Sequence, residues 1–386
     1  MASDNMNQKI TNYIIDNKTL LFKLLEELVL IPSFSKDKQG VDRVGQRIAQ
    51  AFTGTGFTCT FTDNKDLGNN LIVKSPGQTA DHKDQILVTG HMDTVFLPQS
   101  SFNWYKEDAT RCFGPGVADM KGGLVVGIFA IKALIHAGLM HNIPLTFIFN
   151  SDEEIGSPSS RELIAQEATR SRLAYVLEAG GLSNEIVTGR KGNLRMQMTI
   201  TGKAGHAAFA GENKASAILE LAHKIVCIEA MNDPEHGMSA NVGTVAGGIG
   251  ANTVPDKAVA DLDFRFLESA QSDLIRARIN ELTNQTFVPG TTAAVELISS
   301  RPAMPKTRQG QDLFKQIQKL STQLGTPVID ELRQGVSDAN TIAETGTPVI
   351  DGLGPVGAKD HSEDEYIEKA SLWERCILFA HILAQI

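Results

Sequence analysis

Three short apolar runs, at residues 86–88, 145–149 and 174–177, show no polar alternation, and each gives way at once to polar residues. An unbroken apolar strand is one covered on both faces, which points to a parallel sheet between layers of helix. Residues 122–138 supply such a helix and stop at Gly138, where a glycine commonly ends one. Strand, helix, strand with helical crossovers predicts an α/β fold with a mostly parallel sheet flanked by helices. Open sheets of that kind carry their chemistry just beyond the carboxyl ends of the strands. The residues there are His91 and Asp93 after the first run, Glu153 and Glu154 after the second, and Glu178 after the third. Asp119 stands just before the helix, and His361 follows a glycine-rich loop that leaves Val349 and Ile350.

Upstream, Leu20, Leu21, Leu24, Leu25 and Leu28 recur at helical spacing and the pattern stops before Pro32, which predicts an amphipathic first helix. Short β-rich runs follow at 57–61 and 71–73. Beyond Gly189 the texture changes. Residues 194–201 alternate as a half-buried strand does, 215–230 read as helix, 241–245 and 258–266 as strands, 269–282 as helix and 293–298 as a last strand. The order βαββαβ predicts a ferredoxin-like α+β layer with two helices on one face of an antiparallel sheet. After Arg301-Pro302 the chain returns to helix and buried strand, so the small domain reads as an insertion. The expected boundaries are 1–189 and 300–386 for the large domain and 190–299 for the inserted one.

A chain of 386 residues, 42% hydrophobic and 21% charged, is long enough for two cores. Its net charge of −9 argues against nucleic acid or an anionic membrane as partner, since both call for a basic surface. Cys59, Cys112, Cys227 and Cys376 are scattered with no CxxC pair, so neither a zinc knuckle nor a disulfide framework is indicated. The polar opening segment lacks a basic region followed by an apolar one, and the protein reads as cytoplasmic. The apolar stretch 124–131 is broken by Lys132, well short of the roughly 20 residues a bilayer span needs.

Singly, an Asp or Glu after a strand is more often a helix cap or a solvated loop residue than a ligand. His82, His136, His141, His223, His236 and His381 keep that ordinary reading. The cluster is different because histidines and carboxylates recur at successive strand ends. Nitrogen and oxygen donors without a thiolate suit Zn²⁺, Mn²⁺ or Co²⁺ in an open site. In extended chain His91 and Asp93 share a side, so the carboxylate can hold the imidazole's second nitrogen. Glu153 and Glu154, being adjacent, would point to opposite sides of an extended chain, one toward metal and one toward water.

The segments GHMDTV (90–95), GPGVADMKGG (114–123), NSDEEIGS (150–157), LEAG (177–180), TGKAGHAA (201–208) and GAKDHSEDEYI (357–367) resemble the M20 family of metallopeptidases. They stand in the family's order over almost the whole chain, and are most similar to the glutamate carboxypeptidase group, related to acetylornithine deacetylase and succinyl-diaminopimelate desuccinylase. The resemblance implies two Zn²⁺ ions, with Co²⁺ or Mn²⁺ as alternatives. It makes Asp119 the bridging carboxylate, with His91 and Glu178 completing one site and Glu154 and His361 the other. It makes Asp93 the residue that orients His91, Glu153 the general base, and Asp119-Met120 a cis peptide. His206 matches the family histidine that donates to the oxyanion, often from the other subunit of a homodimer formed by the small domain.

The same resemblance offers Asn252 and Arg265 as holders of a substrate carboxylate and Arg333, with residues 335–340, as part of a substrate loop. Two departures are visible: Val336 replaces a glycine of that loop, and Gly211 replaces a proline after His206. Glu178, where other branches carry aspartate, is similar to the carboxypeptidase and deacylase variant. The implied activity is hydrolysis of an amide next to a free carboxylate in a small peptide, releasing a C-terminal residue such as glutamate. The rivals are an N-acyl amino acid deacylase and, from another class, a metal- or ligand-binding protein without turnover.

Overall fold

The apolar runs form the middle of a six-stranded sheet in the first of two units. The computed structural model describes residues 2–77, 84–211 and 214–385, so His82 lies outside the described residues. One unit comprises Met1–Gly189, Lys306–Leu332 and Ser337–Ile386; the other comprises Arg190–Pro305 with Arg333–Val336.

The strands of the six-stranded sheet are β1 (Thr58–Phe61), β2 (Leu71–Lys74), β3 (Gln85–His91), β4 (Leu145–Asn150) and β5 (Ser171–Val176), with a two-residue strand Val349–Ile350 at the edge. Their spatial order is β1-β2-β4-β3-β5 and then Val349–Ile350. β3 runs parallel to both β4 and β5, and Val349–Ile350 runs parallel to β5, whereas β1 and β2 are antiparallel additions. Every residue of β3 and β4 is buried, which is why their centres, 86–88 and 147–149, are apolar without alternation. Register then fixes the site: His91 lies opposite Asn150 and Thr89 opposite Val176. The three strands therefore release their chains at nearly one level.

The amphipathic helix α1 spans Lys18–Val29 and buries Leu21, Leu24, Leu25 and Leu28. The more apolar α2 (Gly122–His136) contacts β3 and is itself covered by the helices Ala2–Asp16 and Lys369–Gln385. The first of these covering helices is not legible as apolar periodicity. Its polar sequence carries Ile10 and Ile14, both fully buried, and tertiary contact supplies what the pattern lacks. Close approach of α2 depends on glycine. A Cβ at Gly123 would collide with the carbonyl oxygen of Leu177, and one at Gly127 with the Phe147 ring.

The second unit follows βαββαβ: β6 (Gly192–Thr201), α3 (Ala217–Glu229), β7 (Ser239–Gly247), β8 (Lys257–Phe266), α4 (Ser269–Asn284) and β9 (Thr292–Arg301). The sheet order β7-β8-β6-β9, antiparallel throughout, is ferredoxin-like. Leu194, Met196, Met198, Ile200, Leu262, Phe264 and Phe266 from the sheet share a core with Leu221, Ile228, Ile275 and Ile279 from the helices. The strands run one to three residues past the ends expected from alternation because ladder pairing carries them on, with Gly192 opposite Phe266. Among the described residues no helix is long and apolar enough to cross a membrane.

Gly123→Ala tests how α2 is seated. In an unconstrained helix the change would gain about 1 kcal/mol. Here the collision with Leu177 reverses the sign, and a loss of about 1 to 3 kcal/mol is expected from overpacking. Urea denaturation reads it directly, and a midpoint at or above that of the unmodified protein would show that the helix does not press on the strand end.

Candidate metal centre

Asp93 is the buried anchor of the site. Its Oδ2 accepts the Ser35 hydroxyl at 2.6 Å and the Glu154 amide at 3.2 Å, while Oδ1 accepts the Glu153 amide at 3.2 Å. The same Oδ1 lies 3.3 Å from His91 Nδ1, which also meets the Asp93 carbonyl at 2.9 Å. One carboxylate thus orients an imidazole and fixes the backbone of both glutamates. That leaves His91 Nε2 facing Asp119 Oδ1 at 2.8 Å and Glu178 Oε1 at 3.7 Å.

Asp119 reaches the site from an irregular helical turn, Val117–Lys121, and its peptide bond to Met120 is cis. Its second oxygen, Oδ2, lies 3.2 Å from His361 Nε2, and the same nitrogen is 3.1 Å from Glu154 Oε2. The two oxygens of one carboxylate therefore face two different imidazoles. His91, Asp119 and Glu154 offer donor atoms all within 4.8 Å of one another. Glu178 joins this set through His91, and His361 joins it through Asp119 and Glu154.

Glu153 and Glu154 do not leave β4 as extended chain. Asp152, fully buried, accepts the Ser159 amide at 2.6 Å and the Ser160 hydroxyl at 2.5 Å, and the chain coils into a short 3₁₀ turn, Glu153–Ile155. Successive side chains on such a turn diverge by about 120°, not the 180° of a strand. The backbone at the two glutamates is thus a 3₁₀ turn in place of the extended chain expected. Glu153 is half-buried, and its charge acts on Glu178.

Burial alone would penalise every charge in this cluster. It pulls the His91 imidazole down, yet contacts with Asp119 and Asp93 and the charge of Glu178 push it well above the ordinary value. The contact with Asp119, then that with Glu154, lifts His361 to about 11. Burial raises Asp119, but His361 and His91 outweigh it and hold the carboxyl below the usual range. Desolvation, followed by the Asp119 charge, raises Glu154 and raises Glu178 well above the carboxylate norm. Carboxylates outnumber the groups that can neutralise them, and all donors are oxygen or nitrogen. Such a set fits divalent cations of the zinc, manganese and cobalt type.

Two further residues belong to the site, although neither strand ends nor motif roles single them out. Glu365 is fully buried and accepts amides from Gly116 at 3.0 Å, Ala118 at 2.7 Å and Asp119 at 3.0 Å. Burial, with the Asp119 charge, pushes it up to about 8 against the pull of those three donors. Lys121, 1% exposed, donates to the Ile31 carbonyl at 2.9 Å, and burial pushes it down to about 7 against the attraction of Glu365. Lys121 is a lone cation in 114–123, a run otherwise committed to burial, whereas Glu365 stands in 357–367 among exposed charged residues and carries no such signal.

The remaining candidates lie in the second unit. His206 pairs with Thr253 in a two-stranded ribbon, its Nδ1 accepts the Ala208 amide at 3.3 Å, and its ring lies 4.9 Å from that of Phe209. Asn252 is its neighbour, accepting the Ala207 amide at 2.9 Å on its backbone carbonyl. Arg265 is engaged by Asp263 through Nε at 2.8 Å and Nη2 at 3.3 Å, on the open face of the sheet. Arg333 is half-buried and its carbonyl accepts the Lys191 amide at 3.0 Å. Within this unit His206 and Asn252 are brought together, and Arg265 carries an acidic partner of its own.

Comparison with known proteins agrees with this architecture. Residues 87–385 match the model of peptidase family M20/M25/M40. Carboxypeptidase G2 of Pseudomonas sp. (strain RS-16) is 28% identical, over 99% of this chain and 94% of its own. The crystal structure of aminopeptidase PepT from Bacillus cereus superimposes with a TM-score of 0.79 at 26% identity, covering 95% of this chain and 98% of its own. That of the Bacillus subtilis YXEP protein, a dinuclear metal-binding peptidase from the M20 family, gives a TM-score of 0.70 at 14% identity, covering 95% and 97%. The family match spans most of the chain and includes every strand end that carries a donor: this protein belongs to peptidase family M20/M25/M40 and is a hydrolase of the metallopeptidase type.

Proposed function

We propose that the protein is a dinuclear metallocarboxypeptidase that cleaves the amide next to a free carboxylate and releases a C-terminal residue, with glutamate as the first candidate. The observation that carries the two-ion reading is Asp119, whose Oδ1 lies 2.8 Å from His91 and Oδ2 3.2 Å from His361. A carboxylate offering one oxygen to each of two donor sets is what a bridging ligand requires. His91, Asp119 and Glu178 would hold one cation, and Asp119, Glu154 and His361 the other, zinc being the first choice and cobalt or manganese the alternatives.

Bound there, the cations supply Lewis acidity that makes water a nucleophile near neutral pH and offsets charge on the developing oxyanion. The chain's own residues do the rest. Asp93 fixes the His91 tautomer by occupying Nδ1, which leaves Nε2 as the donor. Glu153 takes the proton of the attacking water and returns it to the departing nitrogen. His206 donates to the oxyanion, from its own subunit or across a homodimer, and Asn252, Arg265 and Arg333 are the candidates to hold the substrate carboxylate.

The carboxypeptidase reading is supported by the name of the relative carboxypeptidase G2 and by glutamate, in place of aspartate, at position 178. The PepT neighbour is an aminopeptidase, so the substrate must be tested against that alternative as well as against N-acyl amino acids. A panel of C-terminal glutamyl peptides, other dipeptides, N-acyl amino acids and free tripeptides, each with Zn²⁺, Co²⁺ and Mn²⁺, decides. We expect cleavage next to the free carboxylate; exclusive removal of N-terminal residues from tripeptides would refute the proposal. A protein without turnover on any member would be the non-catalytic alternative.

Two substitutions separate chemistry from metal binding. Glu153→Ala is expected to keep two metal equivalents by elemental analysis and lose turnover about 10²- to 10⁴-fold or more. His361→Ala is expected to lose metal together with activity. Full activity in Glu153→Ala would remove it as the base, and fewer than two equivalents in the reconstituted unmodified protein would remove the dinuclear reading.

A further inference from the structure

The loops that carry Asp119 and His361 are remote in sequence and neighbouring in space. The strand Tyr366–Glu368 pairs with Arg111–Phe113, so the chain entering residues 114–119 and the chain leaving His361 run off adjacent strands. Between them lies Glu365, fully buried, whose Oε1 accepts the amides of Ala118 and Asp119 at 2.7 and 3.0 Å and whose Oε2 accepts that of Gly116 at 3.0 Å. These bonds cross 246 to 249 residues of sequence, while Glu365 itself is four residues from His361. A carboxylate that takes three amide donors suits few other side chains.

The two donor sets are not equally supported. His91 ends β3 and is held by Asp93, and Glu178 lies two residues beyond β5, so both stand on buried strands. His361 has no such footing: its side chain is 54% exposed and its backbone φ is +61°. The buried side-chain tie between its loop and the backbone of the Asp119 turn is the Glu365 carboxylate.

We propose that Glu365 is a positioning residue that sets the distance between Asp119 and His361, and so governs occupancy of the cation site formed by Asp119, Glu154 and His361. The inference rests on the two-cation reading above. It predicts an asymmetric defect. Loosening Glu365 frees the His361 loop from the Asp119 turn, while the Asp93 bonds to His91 and the strand end under Glu178 remain.

The test is Co²⁺ titration of metal-free protein, followed by calorimetry and by visible absorption of the bound cobalt, with the thermal midpoint of the metal-free protein as the control for folding. Glu365→Gln keeps the shape and removes the charge, setting an NH₂ against an amide donor. Glu365→Asp keeps the charge and shortens the reach, and serves where the Gln variant does not fold. In the folded variant we expect the first equivalent to bind within about threefold of the unmodified protein and the second about 10- to 100-fold more weakly. The cobalt absorption of the second equivalent should be altered, with Glu365→Asp closer to normal than Glu365→Gln. Normal binding of both equivalents, equal weakening of both, or failure of both variants to fold would overturn the proposal in favour of a purely structural clamp. Fewer than two equivalents in the unmodified protein would instead overturn the dinuclear reading on which it rests.

Discussion

The Asp119 carboxylate is the constraint to which the first unit is built. It is half-buried, it faces an imidazole on each oxygen, and it keeps its charge because His91 and His361 outweigh the cost of desolvation. The neighbouring acids bear the consequence: burial and the Asp119 charge together raise both Glu154 and Glu178. The contacts with Asp119 in turn raise both imidazoles. Dications would invert that logic, since a bound cation favours ionised carboxylates and neutral imidazoles around it. The same perturbed groups that look unstable as an apolar interior are the ones a metal centre requires.

Holding so many polar groups out of water is tolerable only where each finds a partner. Asp93 is bonded to Ser35 and to two amides, Asp152 to Ser159 and Ser160, and Asp338 to Asn150 at 2.6 Å and Ser157 at 2.5 Å. Asp351 accepts Ser337 at 2.7 Å and the Gly352 amide at 2.5 Å. These buried acids connect the chain after β3, β4, the segment after it and the chain around residues 337–352. The sheet determines where the proposed ligands emerge, and these bonds hold the segments next to them.

What is legible in the sequence follows from burial. Strands covered on both faces leave unbroken apolar text, so β3, β4 and β5 and the donors that follow them can be read from residue order alone. The inserted unit is legible because its strands alternate. Ala2–Asp16 is not, because its burial is concentrated in residues such as Ile10 and Ile14 and depends on partners elsewhere in the chain. The turn at Glu153 is hidden because it depends on Asp152 capturing Ser159 and Ser160, a local hydrogen-bond choice that periodicity does not encode. Glu365 is hidden because a carboxylate in a run of exposed charges invites reading as a solvated residue, whereas its bonds are to amides about 250 positions away.

Substrate recognition obeys a different constraint from metal binding. The proposed cation ligands all come from the first unit, and the fold they stand on is shared by proteins named carboxypeptidase and aminopeptidase alike. Asn252, Arg265 and Arg333 are the groups proposed above for that selectivity. Of the five N–H donors of a guanidinium, Asp263 already takes two from Arg265, the Nε and one Nη2 hydrogen. The side-on approach to Arg265 is therefore occupied, and a substrate carboxylate can meet it only end-on, across Nη1 and Nη2, or by displacing Asp263. An end-on pair keeps Asp263 in place as the residue that aims the guanidinium. Displacement would leave a carboxylate that Arg195, 3.1 Å away, can still pair. The first course preserves both ion pairs and asks less of the sheet, so the proposal that Arg265 holds a substrate carboxylate must carry Asp263 with it.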